Sequence, residues 1–184
     1  MSAQIELAPT IKMRVFCASQ SAEFYTPPEL IELVREVLGQ IELDPASHDM
    51  PQEWIKASRF YREEDAGHAR LWIANTVWLN PPYGKNASGR SVPAVWAAKM
   101  RRDYESGYFG QGLMLVNSAP GYNWYEDLWT RYPVCCLRDR LRFIRPDGSR
   151  AKRRAARGQT LVYFGSCPER FRYVFSRIGR VIEP

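Results

Sequence analysis

Residues that hold metal ions are scarce in this sequence. It has two histidines and four cysteines, and no two cysteines have the C-x-x-C spacing. Cys135 and Cys136 are adjacent, which suits neither an ordinary disulfide nor a shared zinc ion. We therefore expect reduced thiols and no bound metal.

Long apolar runs are also missing. No run approaches the roughly 18 to 20 residues that cross a bilayer, and the first residues lack the basic-then-apolar pattern of a secretion signal. We expect a soluble, cytoplasmic protein. Its 184 residues are enough for one cored domain and few for two. The prediction is an N-terminal arm at 1–23 and a single domain at 24–184.

Basic residues outnumber acidic ones by 26 to 20, which gives a net charge of +6. Such a charge suits a polyanionic partner but does not identify one. Residues 145–157 (RPDGSRAKRRAAR) hold six basic residues and one acid. A solvated surface loop and a contact with nucleic acid are both compatible with this run.

Segments with the period of strands alternate with segments with the period of helices. A helix is predicted after residue 26, with Thr26 as its cap, Pro27 in its first position and Glu29 completing a capping box. The other predicted helices cover 51–61, 92–104, 123–131 and 169–178, and the predicted strands cover 40–44, 76–79, 112–117, 133–137, 141–144 and 160–164. No helical pattern separates the last two strands, which predicts an antiparallel hairpin around a loop at 145–159. The fold class is α/β, with a mostly parallel sheet and helices on both faces.

Three of the predicted strands end on a polar side chain. These side chains are Asp44, Asn80 and Asn117. In open α/β sheets, ligands bind beyond the carboxyl ends of the strands. We expect the three residues to face one crevice.

The stretch VWLNPPYG at 77–84 ends a strand on an amide, two prolines and an aromatic ring. The prolines fix the backbone and leave the Pro81 carbonyl free, while Asn80 supplies a side-chain carbonyl and Tyr83 a flat ring. Two acceptors and a stacking ring suit a planar group that carries an exocyclic NH₂. They would also stabilise charge that develops on this nitrogen as it attacks. The alternative is a strand-exit turn whose tyrosine packs on the surface.

Several stretches together resemble the amino-methylating, S-adenosylmethionine-dependent DNA methyltransferases, whose motif is (D/N/S)-P-P-(Y/F/W). More narrowly, the chain resembles the small phage-type, Dam-like N6-adenine methyltransferases. The matching stretches are FYTPPEL at 24–30, LDPAS at 43–47, EEDAGHARLW at 63–72, VWLNPPYGK at 77–85 and LRDRLRF at 137–143. The resemblance implies a Rossmann-like methyltransferase fold and S-adenosylmethionine as cofactor. It also implies transfer of a methyl group to N6 of an adenine flipped out of double-stranded DNA.

The resemblance also assigns roles to residues. The expected cofactor-binding residues are Tyr25, Thr26, Pro27, Asp44, Ala46 and Asp65. The first three would lie against the cofactor at a helix start that favours its carboxylate, the next two along its methionine and ribose part, and the last near its adenine. The expected catalytic residues are Asn80, Pro81, Pro82 and Tyr83. Many relatives carry glycines after the first acidic strand end, whereas this chain continues with Pro-Ala-Ser-His.

In a chain of this kind, we expect the basic segments to contact DNA. The expected DNA-binding residues are Lys85, Arg90, Arg145, Arg150, Lys152, Arg153, Arg154 and Arg157. One alternative is a catalytically silent DNA-binding module on the same fold. Another is a methyltransferase that acts on RNA or on a protein amide nitrogen, since NPPY is shared with such enzymes. The resemblance also makes a phage or prophage origin plausible.

Overall fold

The structure is a computed structural model that describes residues 24–184. The predicted arm at 1–23 lies outside the described residues. The helices are α1 Pro28–Leu38, α2 Asp49–Ile55, α3 Val92–Glu105, α4 Asn123–Trp129 and α5 Pro168–Phe175. The strands are β1 Leu43–Asp44, β2 Arg59–Phe60, β3 Ala74–Leu79, β4 Phe109–Asn117, β5 Val134–Leu137, β6 Gln159–Phe164 and β7 Gly179–Ile182. Two short 3-10 helices, Glu63–Asp65 and Gly67–Ala69, precede β3.

The strands form one seven-stranded sheet in the order β2-β1-β3-β4-β6-β5-β7. The first four strands in this order pair in parallel. β6 is antiparallel to both of its neighbours, β4 and β5, and β7 is antiparallel to β5. Strands β1 to β5 therefore run in one direction and end at the same edge of the sheet, called the carboxyl edge below. The predicted α/β fold, parallel at first and antiparallel at the C-terminus, is confirmed.

Helices cover both faces of the sheet. One core, which contains Trp96 of α3 and Leu128 of α4, packs on the face to which Val77 and Leu79 point. The other core, which contains residues of α1 and α5, packs on the opposite face with Trp78. The alternation of 77–79 between two buried faces explains why β3 reads as a continuous apolar run.

The antiparallel part of the sheet is formed by other strands than the sequence predicts. Residues 141–144 form no strand, and only Ile144 makes isolated bridges, to Tyr25 and Arg150. The reason is that β6 inserts between β4 and β5, so both of its hydrogen-bonding edges are occupied. The last strand is instead β7, which follows α5 and pairs with β5.

The predicted helices at 123–131 and 169–178 end early, at Trp129 and Phe175. The start of α1 and the end of α2 also differ from the prediction. Pro27 is the N-cap of α1, whose start makes no side-chain capping bond, so the predicted Thr26 cap and capping box are wrong. Proline at the first helical position has no N–H to cap, and the Leu30 N–H is taken by the Pro27 carbonyl at 3.0 Å. The predicted helix at 51–61 ends at Ile55, because Lys56 adopts a left-handed conformation with φ of 50°.

None of the helices within residues 24–184 combines the length and the apolar character needed to cross a membrane.

Candidate active site at the carboxyl edge

The predicted polar strand ends lie close together. Leu43 pairs with Val77, which sets Asp44 beside Trp78, two residues before Asn80. Strands lie about 4.8 Å apart and rise about 3.3 Å per residue, so the Asp44 and Asn80 Cα atoms are separated by about 8 Å. Side chains alternate along a strand, which directs both residues to the face that α1 covers. The next strand, β4, ends at Asn117 beside them.

Buried oxygens of the NPPY motif have no partner. The Asn80 side-chain carbonyl and the Tyr83 hydroxyl are inaccessible to solvent, yet neither makes a hydrogen bond within the described chain. No described group donates to the Pro81 carbonyl either. Buried polar atoms in folded proteins are nearly always paired. The described chain therefore leaves the hydrogen-bonding capacity of these oxygens unused.

Tyr83 connects the motif to β4. Burial raises the pKa of its phenol, and the nearby Asn117 backbone lowers it in part without completing a hydrogen bond. The phenol is therefore neutral at physiological pH. Its ring can stack on a planar ligand, but its oxygen cannot act as a base there. Pro82 is exposed on the outer side of the same turn.

Asp44 is buried, with 1% of its surface exposed. Gln52 of α2 donates to its Oδ2 at 3.0 Å, and the Ala46 N–H approaches its Oδ1 at 3.4 Å. Burial raises the pKa of the Asp44 carboxyl from 3.8 to about 6, against the opposing effect of hydrogen bonds, the largest from Ser47. At neutral pH the carboxylate is thus mostly ionised although it is buried. Such a group binds a cationic or hydroxyl-bearing ligand well.

The segment with Asp65 packs against the loop after β1. A side chain at Gly67 would lie 2.1 Å from the Pro45 carbonyl oxygen, so only glycine fits this approach. Tyr61 accepts a hydrogen bond from the Ser47 N–H at 2.9 Å, which fixes the same contact. The Asp65 carboxylate itself accepts from the Arg62 N–H at 2.9 Å and so caps its own 3-10 turn. The turn that carries Asp65 therefore lies next to the loop that follows Asp44, and one oxygen of the Asp65 carboxylate is already bonded within the turn.

Tyr25, Thr26 and Pro27 lie at the start of α1. The Tyr25 ring stacks on His48, with ring centres 6.3 Å apart. Pro27 and Thr26 are buried, and the Thr26 Oγ1 atom is a third buried oxygen without a partner. The Thr26 carbonyl accepts from the Trp54 indole N–H at 2.9 Å, which ties this segment to α2.

A tight loop follows the NPPY motif and carries Lys85 and Arg90, which are both exposed. Lys85 bridges to Ser91, and the Asn86 Oδ1 atom accepts from the Arg90 N–H at 2.9 Å. The loop thus holds two cations beside Asn80, at the entrance to α3.

The basic run lies in one long loop at the carboxyl edge, because β5 ends there and β6 begins there. We call residues 138–158 the basic loop. It is anchored by a hydrogen bond of 2.8 Å from the Ser118 N–H to the Gly158 carbonyl, beside the end of β4. It is also anchored by Gln159, which is buried and donates to the Asn117 side-chain carbonyl at 3.3 Å.

The predicted DNA-binding residues of the basic loop divide into two groups. Arg150 forms a two-pronged ion pair with Glu29, and Arg154 pairs with Asp139 at 3.1 Å. The Arg150 guanidinium lowers the pKa of the Glu29 carboxyl. This carboxylate sits in the first turn of α1, the helix start at which the sequence predicts a cofactor carboxylate. Arg145 interacts with Asp147, whose pKa it helps to lower. The remaining predicted residues form no salt bridge within residues 24–184, and they are Lys152, Arg153 and Arg157.

A family model described as DNA N-6-adenine-methyltransferase (Dam) matches residues 17–180. The chain belongs to this Dam family. Membership implies methylation of adenine at N6 in DNA, and it covers every residue of the carboxyl edge described above. No curated protein matches the chain at a significant level.

Three site residues of this Dam-family chain were not found from the sequence. Gln52 binds the Asp44 carboxylate, the Ser47 hydroxyl and the Ala57 N–H, and so holds the loop after β1. Gln159 joins the basic loop to β4, and Gly67 allows the approach to Pro45. For Gly67, the sequence offered one signal, a glycine within an acidic turn. Buried glutamines follow no spacing rule, so the sequence offered no signal for Gln52 and Gln159.

Two surface clefts lie away from the NPPY motif. One is lined by Gln40, Glu42, Ser58, Arg59 and Ile73, near the edge at which β3 begins. The other lies at β7 and is described below. The candidate site is therefore distinguished by its unpaired oxygens and not by either cleft. Residues 24–184 contain no group of three or more side chains placed to hold a metal ion.

Proposed function

We propose that this protein transfers a methyl group from S-adenosylmethionine to N6 of an adenine that is flipped out of double-stranded DNA. The observation that carries the proposal is the buried, unpaired side-chain carbonyl of Asn80, beside the Pro81 carbonyl that accepts no hydrogen bond within the described chain, at the carboxyl edge. They lie one strand from a buried carboxylate and beside the basic loop. The Dam family membership supplies the reaction type.

The target amine would be held by two acceptors. Asn80 Oδ1 and the Pro81 carbonyl would each accept one N–H bond of the adenine amine. The amine nitrogen gains positive charge as it attacks, so both hydrogen bonds strengthen in the transition state. Tyr83 would stack on the flipped base and hold its plane. No general base of matched pKa is required, since the acceptors stabilise the charge before the proton leaves to solvent.

The residues near α1 and β1 fit the cofactor. Thr26 Oγ1 is buried without a partner, and Asp44 is a buried carboxylate that lacks a cation within the described chain. These groups would bind the methionine and ribose part, with Ala46 and Pro27 packing beside it and Asp65 near the adenine. When bound, S-adenosylmethionine supplies a methyl group that is already activated on a sulfonium sulfur. The role of the chain is to align the amine with that methyl group and to exclude water.

DNA would lie along the carboxyl edge. Lys85 and Arg90 are exposed on the loop after the motif, and Lys152, Arg153 and Arg157 are exposed on the basic loop, so the two sets would flank the duplex. Contacts of these cations with phosphates would supply salt-dependent affinity and offset the cost of unstacking the base.

Incubation with tritiated S-adenosylmethionine tests the proposal. Unmethylated duplex DNA, RNA and protein are offered separately, and label is expected in DNA alone, recovered as N6-methyladenine. Label in RNA or protein would show that the enzyme methylates another substrate. DNA binding without any label would identify a catalytically silent binding module.

A further inference from the structure

A cleft with three arginines opens at the corner of the sheet where β7 begins. It lies between β5, β7 and α5, and its basic residues are Arg138, Arg172 and Arg180. We call it the arginine cleft. None of the three belongs to the residues assigned above to cofactor, catalysis or DNA.

The arginine cleft carries excess positive charge. Arg172 pairs with Glu183 at 3.2 Å. Arg138 and Arg180 are exposed and have no acidic partner in the part of the chain that the structure describes. The Arg138 N–H donates a hydrogen bond of 3.0 Å to the Ile178 carbonyl. Arg180 of β7 pairs with Cys136 of β5. Two unpaired guanidinium groups on fixed backbone form a ready site for a phosphate oxygen.

The arginine cleft lies at the carboxyl edge, along which we propose that the DNA binds. Arg138 directly follows β5, and Arg180 is the second residue of β7, so both lie at the carboxyl edge. Four strand spacings separate β7 from β3, which ends directly before Asn80. At about 4.8 Å each, the spacings sum to about 19 Å. A duplex rises 3.4 Å per base pair, so this span corresponds to roughly six base pairs.

We propose that the arginine cleft binds the DNA phosphate backbone roughly six base pairs from the adenine that is methylated. The contact lies on only one side of this adenine along the duplex. This inference rests on the proposed function and adds the extent and direction of the DNA footprint. Lys152 and Arg153 of the basic loop would contact the duplex between the target base and the cleft. The contacts carry no sequence information and fix the orientation of the duplex.

The test is the salt dependence of DNA binding by the full chain. The R138Q/R180Q variant is compared with R59Q, which changes an exposed arginine in the cleft near the beginning of β3. With a fluorescent duplex of 30 base pairs, R138Q/R180Q should bind several-fold more weakly at low salt. Its slope of log affinity against log salt concentration should fall by about 1 to 2. R59Q should match the wild type.

A second readout locates the contact. Once the methylated adenine is known from sequencing of modified DNA, duplexes are shortened from each side of it. The loss caused by R138Q/R180Q should disappear when fewer than roughly six base pairs remain on one side, and it should persist when the other side is shortened.

The outcomes separate this inference from the proposed function. If the wild type methylates DNA while R138Q/R180Q retains the affinity and slope of R59Q, the arginine cleft is not a DNA contact and the active-site proposal stands. A loss that is independent of duplex length also overturns the inference, because it indicates a general charge effect. If the wild type neither binds nor methylates DNA, both proposals are wrong.

Discussion

Single side chains at the carboxyl edge are left unpaired inside the protein. The buried side-chain oxygens without a partner in residues 24–184 belong to Thr26, Asn80 and Tyr83, and all three are in stretches assigned to the site. A buried polar group without a partner costs about 1 to 3 kcal/mol. We therefore expect the chain to lose stability at residues of the proposed site, a trade-off that is common in active sites.

The Tyr83 hydroxyl should therefore destabilise the free protein. Y83F is expected to raise the free energy of unfolding by about 1 kcal/mol. It should also retain methyl transfer, because the ring still stacks. The control is Y125F, which removes a hydroxyl that bonds to Thr160 at 2.7 Å and should lower stability. Chemical denaturation measures both, and a stability loss in Y83F equal to that in Y125F would contradict the assignment.

Thr26 offers a second comparison of the same kind. T26V keeps the shape of the side chain and removes its unpaired oxygen, so stability should rise while cofactor affinity falls. T160V removes an equally buried hydroxyl that bonds to both Ser118 and Tyr125, and it should lose stability. Calorimetric titration with S-adenosylmethionine measures the affinity. Unchanged binding by T26V would place the cofactor elsewhere.

Asp44 should give the free protein a distinctive pH dependence. Its pKa rises from 3.8 to about 6 on folding, so its contribution to stability is present below pH 3.8 and is lost as the pH rises through 6. The free energy of unfolding of D44N, relative to the wild type, should therefore increase between pH 4 and 7 by up to about 3 kcal/mol.

The matched control for this experiment is D147N. Asp147 is exposed and its pKa is lowered by hydrogen bonds from Ser149, so its contribution has the opposite sign. A relative stability of D44N that does not change with pH would show that the Asp44 carboxylate is solvated.

Short elements differ in how far the sequence predicts them. The end of β3 at the NPPY motif follows from proline chemistry alone, and the prediction is confirmed. The failed strand at 141–144 depends on a partner that local sequence does not reveal, since β6 has its two edges filled by β4 and β5. β7 was missed because its four residues directly follow a helical pattern. Local chemistry predicts where elements stop, and competition for sheet edges decides which segments pair.

The contact between the 3-10 helices and the loop after β1 is tested at Gly67. G67A would place a methyl group 2.1 Å from the Pro45 carbonyl oxygen, so the segment must move. A loss of roughly 2 kcal/mol or more in stability is expected, together with weaker cofactor binding. G158A is the control, because its nearest neighbour lies at 3.4 Å. Equal effects of both changes on stability and cofactor binding would show that this contact does not shape the site.

The whole molecule places the residues of the proposed site along one edge of the sheet. The sheet order places Asp44, Asn80, Asn117 and the basic loop in sequence across adjacent strands. The grouping of Asp44, Asn80 and Asn117 was predicted from the polar strand ends. The position of the basic loop, the unpaired oxygens and the Arg150–Glu29 pair required the structure. Pairing of side chains that are 121 residues apart in sequence depends on the complete fold.

The most direct test of the central claim is nucleoside mass spectrometry of DNA incubated with S-adenosylmethionine and variants at position 80. The wild type should form N6-methyladenine, and N80A should reduce its rate by about 100-fold or more, because one acceptor for the amine is lost. N80D keeps an acceptor oxygen and should retain measurable activity. Near-normal turnover by N80A, with its fold intact, would contradict the account.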